Sequence, residues 1–462
     1  MSKRFARAAI PRPAQSDPFS HGNSSNGAKS AFSKLMSGNA EDSAWANAAA
    51  AENASRGRPA YERTCPFTRI YPTTTSASML SASKWVVELE FEKTYPVPGT
   101  GATVTMIPAN HCPGSSLFLF QKPMGNGPNP RMSRILHCGD FRACPDHVGH
   151  PLLKPDVVDS ITGKTKQQSI NTCYLDTTYL NPRYSFPPQE DVIKACADLC
   201  ASMSPDPNCK DDVWERSQRE NGVQAVSKYF QSDKGPAASE SADSRASPKQ
   251  RLLVVCGTYS IGKERICIAI AQALGSKIFA TPGKMKISQV HMQSLMEIRA
   301  ETLSDYLTSY KPHFSRIVGF RPSGWNFRPT NGKAVGANTS PSSIPTQQIL
   351  HGKGWRTRFG YKDFVAQRGS TKESMCFGVP YSEHSSFREL AMFLMSLRIE
   401  KVIPTVNVGS EQSRKRMRAW IDRWTAERRR GGLLKPLIEG KDDEDSAELW
   451  EGKSGKGGGA WW

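Results

Sequence analysis

The chain has 462 residues, long enough for two or three folded units, yet only 38% are hydrophobic, so part of the length is expected outside any core. With 61 Lys+Arg against 43 Asp+Glu the net charge is +18, a field that draws in polyanions, nucleic acid first and an acidic membrane surface second. Its eleven Cys stand at irregular spacings and no apolar run reaches spanning length, which sets aside a small disulfide scaffold and a transmembrane helix.

Residues 1–60 are rich in Ser, Ala, Asn and Gly and read as a basic, polar, disordered arm, with one short helix over Ala40–Ala54. A transit peptide is the competing reading of the Arg/Ala-rich start. Order is expected from near Cys65. KWVVELEF (84–91), TVTMI and SLFLF are β-branched or aromatic runs between Pro/Gly turns, hence strands, and RILHCGD and TCYLD continue the series. Several strands so close together predict a sheet sandwich. Asp206–Lys249 is polar and reads as a disordered insertion.

RLLVVCG (251–257) then leads into the helix GKERICIAIAQALG, with Ile266, Ile270, Ala273 and Leu274 on its apolar face and Gly275 as its cap. KIFA follows as a strand, making a β-α-β unit and so a parallel sheet. Cys256, Cys267 and Cys376 lie in apolar surroundings and read as small buried hydrophobes. Arg328–Thr346 reads as a loose loop. Further on, Ser386 and Glu389 fit a capping box ahead of a helix whose buried stripe is Leu390, Phe393, Leu394 and Leu397. VIPTVNVG (402–409) is the next strand. A helix with RKRMR at 414–418 and RRR at 428–430 follows, and either contacts a duplex backbone or is a solvated face.

His111 in ANHCPGSS (109–116) and Asp140 in LHCGDF (136–141) each end a strand, where an imidazole and a carboxylate can reach one metal. His384 in PYSEHSSF (380–387) precedes a helix far down the chain, and Asp176 in LDTTYL (175–180) stands where a carboxylate can orient a ligand histidine. GTYSIGKE (257–264) matches the phosphate-cradling GxxxxGK loop between strand and helix, which raises a nucleoside triphosphatase as an alternative. Against it, Glu264 replaces the hydroxyl residue that should hold Mg²⁺.

These motifs, in this order, resemble the DNA cross-link repair branch of the metallo-β-lactamase/β-CASP nucleases, most closely the fungal members. The likeness runs over roughly residues 84–425, and 30–67 resembles the segment that opens the fungal domain. The resemblance implies an α/β fold: an αββα metallo-β-lactamase sandwich, its N-terminal strands incomplete, with an inserted β-CASP domain. It divides the chain into an arm (1–60), a first metallo-β-lactamase part (61–190), the insertion (191–375), a second metallo-β-lactamase part (376–432) and a flexible tail (433–462). The implied activity is hydrolysis of DNA phosphodiesters from a 5′ end, 5′→3′, by a nuclear, monomeric protein acting on 5′-phosphorylated or cross-linked ends. One or two Zn²⁺ would be held by His111, Asp140 and His384, with Asp176 behind them. Tyr259, Ser260, Lys263 and Ser385 become the expected contacts to DNA phosphate, and Trp325 in GFRPSGWNF is expected in the core. Relatives acting on RNA place a further His in the strand that here carries Val402, Val406 and Val408, which favours DNA. A small-ester hydrolase of the β-lactamase kind is disfavoured by the inserted domain and the charge.

One motif departs from the family. Its His-x-His-x-Asp-His signature belongs between CPF (65–67) and KWVVELEF, where RIYPTTTSASMLSAS (69–83) stands instead. His147 and His150 near Asp146 lie on the wrong side of Asp140 to replace it. Either the chain is a truncated gene model or splice form of an active nuclease, or it is a DNA-end-binding pseudoenzyme. In both cases the sequence predicts severely reduced nuclease activity for the chain as written.

Overall fold

The computed structural model describes residues 89–432, apart from 129, 159–161, 222–250, 260, 280–287, 328–338, 353–354 and 356. The arm, the 69–83 connector, the tail from 433 and Ser260 therefore lie outside the described residues. In chain order the strands are β1 (Thr94–Val97), β2 (Ala102–Pro108), β3 (Ser116–Met124), β4 (Arg131–His137), β5 (Asp156–Val158), β6 (Thr165–Gln167), β7 (Ile170–Leu175), β8 (Leu252–Thr258), β9 (Ile278–Phe279), β10 (Val290–Ser294), β11 (Arg316–Pro322), β12 (Ser374–Val379) and β13 (Ile399–Pro404). The helices are α1 (Pro145–Val148), α2 (Gln189–Ser202), α3 (Asp212–Glu220), α4 (Glu264–Ala273), α5 (Ala300–Thr308), α6 (Thr346–His351), α7 (Phe387–Ser396) and α8 (Glu411–Gly431).

Six strands form one sheet in the order β1-β2-β3-β4-β7-β13. β1 to β4 are antiparallel neighbours, whereas β7 runs parallel to both β4 and β13. β2, β4, β7 and β13 therefore point the same way, and the loops after them leave from one edge. Alternation in β3 shows how the sheet is covered: Leu117 and Leu119 join the core beneath α7 and α8, and Phe120 joins the cluster on the opposite face. On α8, Met417, Trp420, Ile421 and Trp424 make the buried stripe and the basic side chains fill most of the remainder. Each such large apolar side chain contributes about 1.5–3 kcal/mol on burial.

The second sheet is wholly parallel, five strands in the order β12-β11-β8-β10-β9. β8 is buried at every position, as a central strand covered on both faces must be. Its residues divide by the pleat: Val254 and Cys256 face α2 and α4, and Leu253 and Val255 face α5. Two sheets with helices on their faces give the mixed α/β class read from the sequence.

Four local expectations need correction. The insertion read as disordered from Asp206 contains α3, capped by the Asp211 carboxylate on the N–H groups of Val213 and Trp214. The loop read as loose through Thr346 holds a 3-10 turn at Pro341–Ser343, and α6 begins at Thr346. KWVVELEF is no strand at its described end, since Leu89 and Glu90 are irregular and Phe91–Glu92 form a turn before β1. The strand placed at 402–409 begins at Ile399 and stops at Pro404, because the chain then turns aside to bond the segment after β7. No helix among the described residues is long and apolar enough to cross a membrane.

Candidate metal centre

The two sheets bring their carboxyl ends to one place, the usual position for a site in parallel α/β architecture. His111 follows β2, Asp140 follows β4, Asp176 follows β7 and His384 follows β12. Their convergence is held by cross-links between the sheets. Arg142, buried in the Asp140 loop, donates to the Ser382 carbonyl at 2.8 Å and to Glu389 Oε1 at 3.0 Å. Ser385 Oγ accepts the Ala143 N–H at 2.9 Å and donates to the Phe141 carbonyl at 3.1 Å. The capping box at Ser386 and Glu389 starts α7 as expected. The segment after β13 braces the Asp176 turn, with Thr177 Oγ1 donating to the Val406 carbonyl at 2.6 Å and Asn407 Nδ2 to the Thr178 carbonyl at 3.0 Å.

One ligand atom each of His111, Asp140 and His384 falls within 4.8 Å of the others. The donor set fits a divalent metal in its chemistry as well as its spacing. His111 Nδ1 lies 2.8 Å from the Glu383 carbonyl and His384 Nδ1 lies 2.7 Å from Asp176 Oδ2, so both rings have their second nitrogen, Nε2, left for a ligand role. Among the described residues, none donates a hydrogen bond to the Asp140 carboxylate. The tautomers follow from the partners: a carbonyl only accepts, so Nδ1 of His111 carries the proton.

The electrostatics are those of a buried charge cluster. Burial, then the neighbouring charge of His384, lowers His111 to about 4. Burial raises the Asp140 carboxyl above its ordinary range. Burial opposes the charge on His384, but the Asp176 carboxylate at its Nδ1 outweighs it and lifts the imidazole to about 9. Asp176 is correspondingly held below the usual carboxylate range, against its own burial, by the His384 charge and Thr178. A histidine raised in the fold stabilises it fully below its unfolded value near 6.5, and that contribution is lost as pH climbs through about 9. In a chelator, wild type should therefore lose more of its melting temperature than Asp176→Asn between pH 6.5 and 9, as measured by a denaturation series. The difference between the two isolates this pair from nearby Glu383 and Lys263.

The GxxxxGK turn has a structural explanation. Gly257 is required because a Cβ there would sit 2.6 Å from Leu295 Cδ1 and 3.2 Å from the Phe320 carbonyl oxygen. Gly262 has φ +106, and a Cβ there would sit 2.8 Å from Glu383 Oε2. Two of the N–H groups that would cradle a phosphate are already taken by carboxylates: Gly262 N–H by Glu264 at 2.6 Å and Lys263 N–H by Glu383 at 2.6 Å. Lys263, only 5% exposed, gives its Nζ to the Pro322 carbonyl at 2.7 Å. The turn thus docks β8 onto the metal-site segment, a role that accounts for the motif without a triphosphate. Lys263 and Ser385, expected to meet DNA phosphate, are both consumed internally. Tyr259 is 59% exposed and remains available. Ser260 lies outside the described residues.

Two residues of the site escaped the sequence reading. Glu383 sits inside the quoted motif, yet its roles, a backbone carbonyl for His111 and a carboxylate for the turn of the other sheet, depend on contacts across the fold. Arg142 stands in the chain two residues after Asp140, and only the fold gives it Glu389 and Ser382 as partners. Trp325, expected in the core, is 56% exposed beside the site.

Residues 280–410 match the DNA repair metallo-beta-lactamase family. The DNA cross-link repair protein pso2/snm1 of Schizosaccharomyces pombe is 37% identical over 370 residues, covering 76% of this chain and 54% of that protein. The DNA cross-link repair protein SNM1 of Arabidopsis thaliana is 30% identical over 368 residues, 76% of this chain and 57% of that protein. The 5′ exonuclease Apollo of Gallus gallus is 24% identical over 340 residues, 70% of this chain and 50% of that protein. The chain spans about half the length of these curated relatives.

Proposed function

The chain belongs to the DNA repair metallo-β-lactamase family, and on that footing we propose that it derives from a metal-dependent 5′→3′ exodeoxyribonuclease of interstrand cross-link repair. The observation that carries the reading is the convergence of His111, Asp140 and His384, backed by Asp176, at the carboxyl ends of both sheets. Residues 61–190 and 376–432 would form the metallo-β-lactamase part and 191–375 the β-CASP insertion. The protein would work in the nucleus, as a monomer, on 5′-phosphorylated or cross-linked DNA ends.

His111, Asp140 and His384 would hold the metal, Zn²⁺ by the nature of the donors. A bound metal would supply Lewis-acid polarisation of the scissile phosphate and a more acidic attacking water. The chain's own groups do the rest. The Glu383 carbonyl fixes the His111 tautomer. Asp176 fixes the His384 ring and holds a proton between Oδ2 and Nδ1. Hydrolysis adds water at phosphorus and breaks the bond to the 3′-oxygen, which departs as a hydroxyl. The +18 charge concentrates the polyanion, so binding should weaken steeply with salt.

A second reading is a DNA-end-binding scaffold that does not cut, and it is favoured by the stretch 69–83, where the metal-binding signature is missing. Equilibrium dialysis with Zn²⁺ and an enzyme-excess digestion of a 5′-phosphorylated strand test both. Zinc uptake that His384→Ala weakens by ten- to hundredfold or more, with slow, chelator-sensitive release of nucleotides from the 5′ end, is the expected result. Tight end binding with zinc uptake but no release selects the scaffold. No zinc uptake and no DNA binding would reject both.

A further inference from the structure

Of the three aromatic residues among the exposed large hydrophobics in the described region, two are tied to the metal-site segment, Trp325 through Tyr179 to His384 and Tyr259 through Lys263 to Glu383. Both are fixed there by the fold. β11 ends at Pro322, and Ser323 Oγ accepts the Trp325 N–H to begin a 3-10 turn. Asn326 Nδ2 donates to the Arg321 carbonyl at 2.7 Å and closes that turn. Gly324 lets the backbone lie directly on Tyr179: a Cβ there would meet the Tyr179 ring and hydroxyl at 2.7 Å. The Trp325 ring then rests on Tyr179 at 4.8 Å and Tyr184 at 4.9 Å between centroids. Tyr179 in turn lies 6.1 Å from the His384 ring. One aromatic ring therefore separates an exposed indole from a metal-ligand candidate. On the other side Lys263, pinned to the Pro322 carbonyl, places its Nζ 4.2 Å from the centre of the Tyr259 ring.

An indole held by two tyrosines, one tilted at 48° and one edge-on at 86°, yet still 56% exposed, presents surface that its aromatic contacts do not use. Core packing would have covered it, and a loop tip would not need a glycine to seat it on a buried ring. A strand whose phosphodiester reaches His111, Asp140 and His384 carries its bases alongside, and an unpaired base has an apolar π-face of the size of this one. Stacking of that kind tolerates any base and suits a protein that must act irrespective of sequence. The positive field of the chain supplies the backbone attraction that a flat aromatic surface lacks.

We propose that Trp325, seated on Tyr179 and Tyr184, is a stacking platform for an unpaired DNA base next to the scissile phosphodiester, so that the site engages a single-stranded end in preference to a blunt duplex. This rests on the nucleic-acid reading given above. The test uses the full chain, Trp325→Ala and Trp325→Phe, with a 5′-phosphorylated single-stranded oligonucleotide carrying 2-aminopurine near its 5′ end, and a blunt duplex of the same sequence. Melting curves check that the variants fold. Wild type should quench the 2-aminopurine on binding. Trp325→Ala should lose the quench and bind the single strand roughly five- to hundredfold more weakly, with blunt-duplex affinity changed less than about twofold, and Trp325→Phe should recover much of both signals. Equal losses on single strand and duplex, or no loss on either, would overturn the platform while leaving DNA binding intact. Failure of wild type to bind either probe would remove the nucleic-acid reading itself, and the platform with it.

Discussion

Metal-dependent digestion of a 5′-phosphorylated strand by this chain should run at least about a thousandfold slower than by a version in which a His-x-His-x-Asp-His segment replaces residues 69–83. The argument is one of ligand count and barrier height. His111, Asp140 and His384 are three donors, enough for one metal and too few for two. A metal that polarises the phosphate and activates water lowers the barrier by several kcal/mol, and each 1.36 kcal/mol is a factor of ten in rate. Losing the donors that complete the coordination forfeits much of that, even where the remaining three still capture zinc. The measurement is single-turnover digestion in zinc, with a chelator control, of both chains side by side. Comparable rates would mean that the three remaining ligands suffice, and that the missing signature matters for something other than chemistry.

How far that site could be read in advance depended on which interactions are local. Ser386 and Glu389 are three residues apart and their capping box was legible; so were the extent of α4 and its Gly275 stop, although its buried face holds Ile266, Cys267, Ile270 and Ala271 and leaves Ala273 exposed. His111, Asp140 and Asp176 could be named because each stands at a predicted strand end in a recognisable motif, and His384 because its motif precedes a capped helix. What holds them was not legible. The carbonyl that sets the His111 tautomer belongs to a residue 272 positions later, and nothing in ANHCPGSS announces it. Ser385 and Lys263 misled for the converse reason: a hydroxyl beside a histidine and a lysine in GxxxxGK suggest phosphate, but distant carbonyls and N–H groups had already engaged them. Trp325 misled because its type argues for burial, whereas the glycine before it and the two tyrosines beneath it decide its exposure. VIPTVNVG looked continuous, yet Thr405 to Asn407 bond the Asp176 turn and leave the sheet at Pro404.

The segment read as disorder leads to the largest expected effect on stability. Asp211→Ala should destabilise the protein by about 3–5 kcal/mol, seen as a lower urea midpoint with little change in slope. Asp211 acts twice. Its Oδ1 caps α3 through Val213 and Trp214, a role in which replacement by Ala costs about 1 kcal/mol. Its Oδ2 pairs with Arg316, a guanidinium buried at the start of β11 beneath α3. Removing the carboxylate leaves a charge in the core with, among the described residues, only the Ser204 and Lys372 carbonyls, at 3.0 and 2.8 Å, to receive it. An unpaired buried cation is far more costly than a lost surface pair. Asp211→Asn keeps the cap acceptor and loses the charge, so it should fall between wild type and Ala, and the spacing of the three midpoints divides the capping effect from the ionic one. A loss below about 1 kcal/mol for Ala would mean that the two carbonyls satisfy Arg316 without its partner. The polar run that hid this helix is therefore what fixes it: DVWERSQRE fully buries only Val213 and Ser217, with Trp214 packed partly against the same core, and a charged pair anchors its start to the parallel sheet.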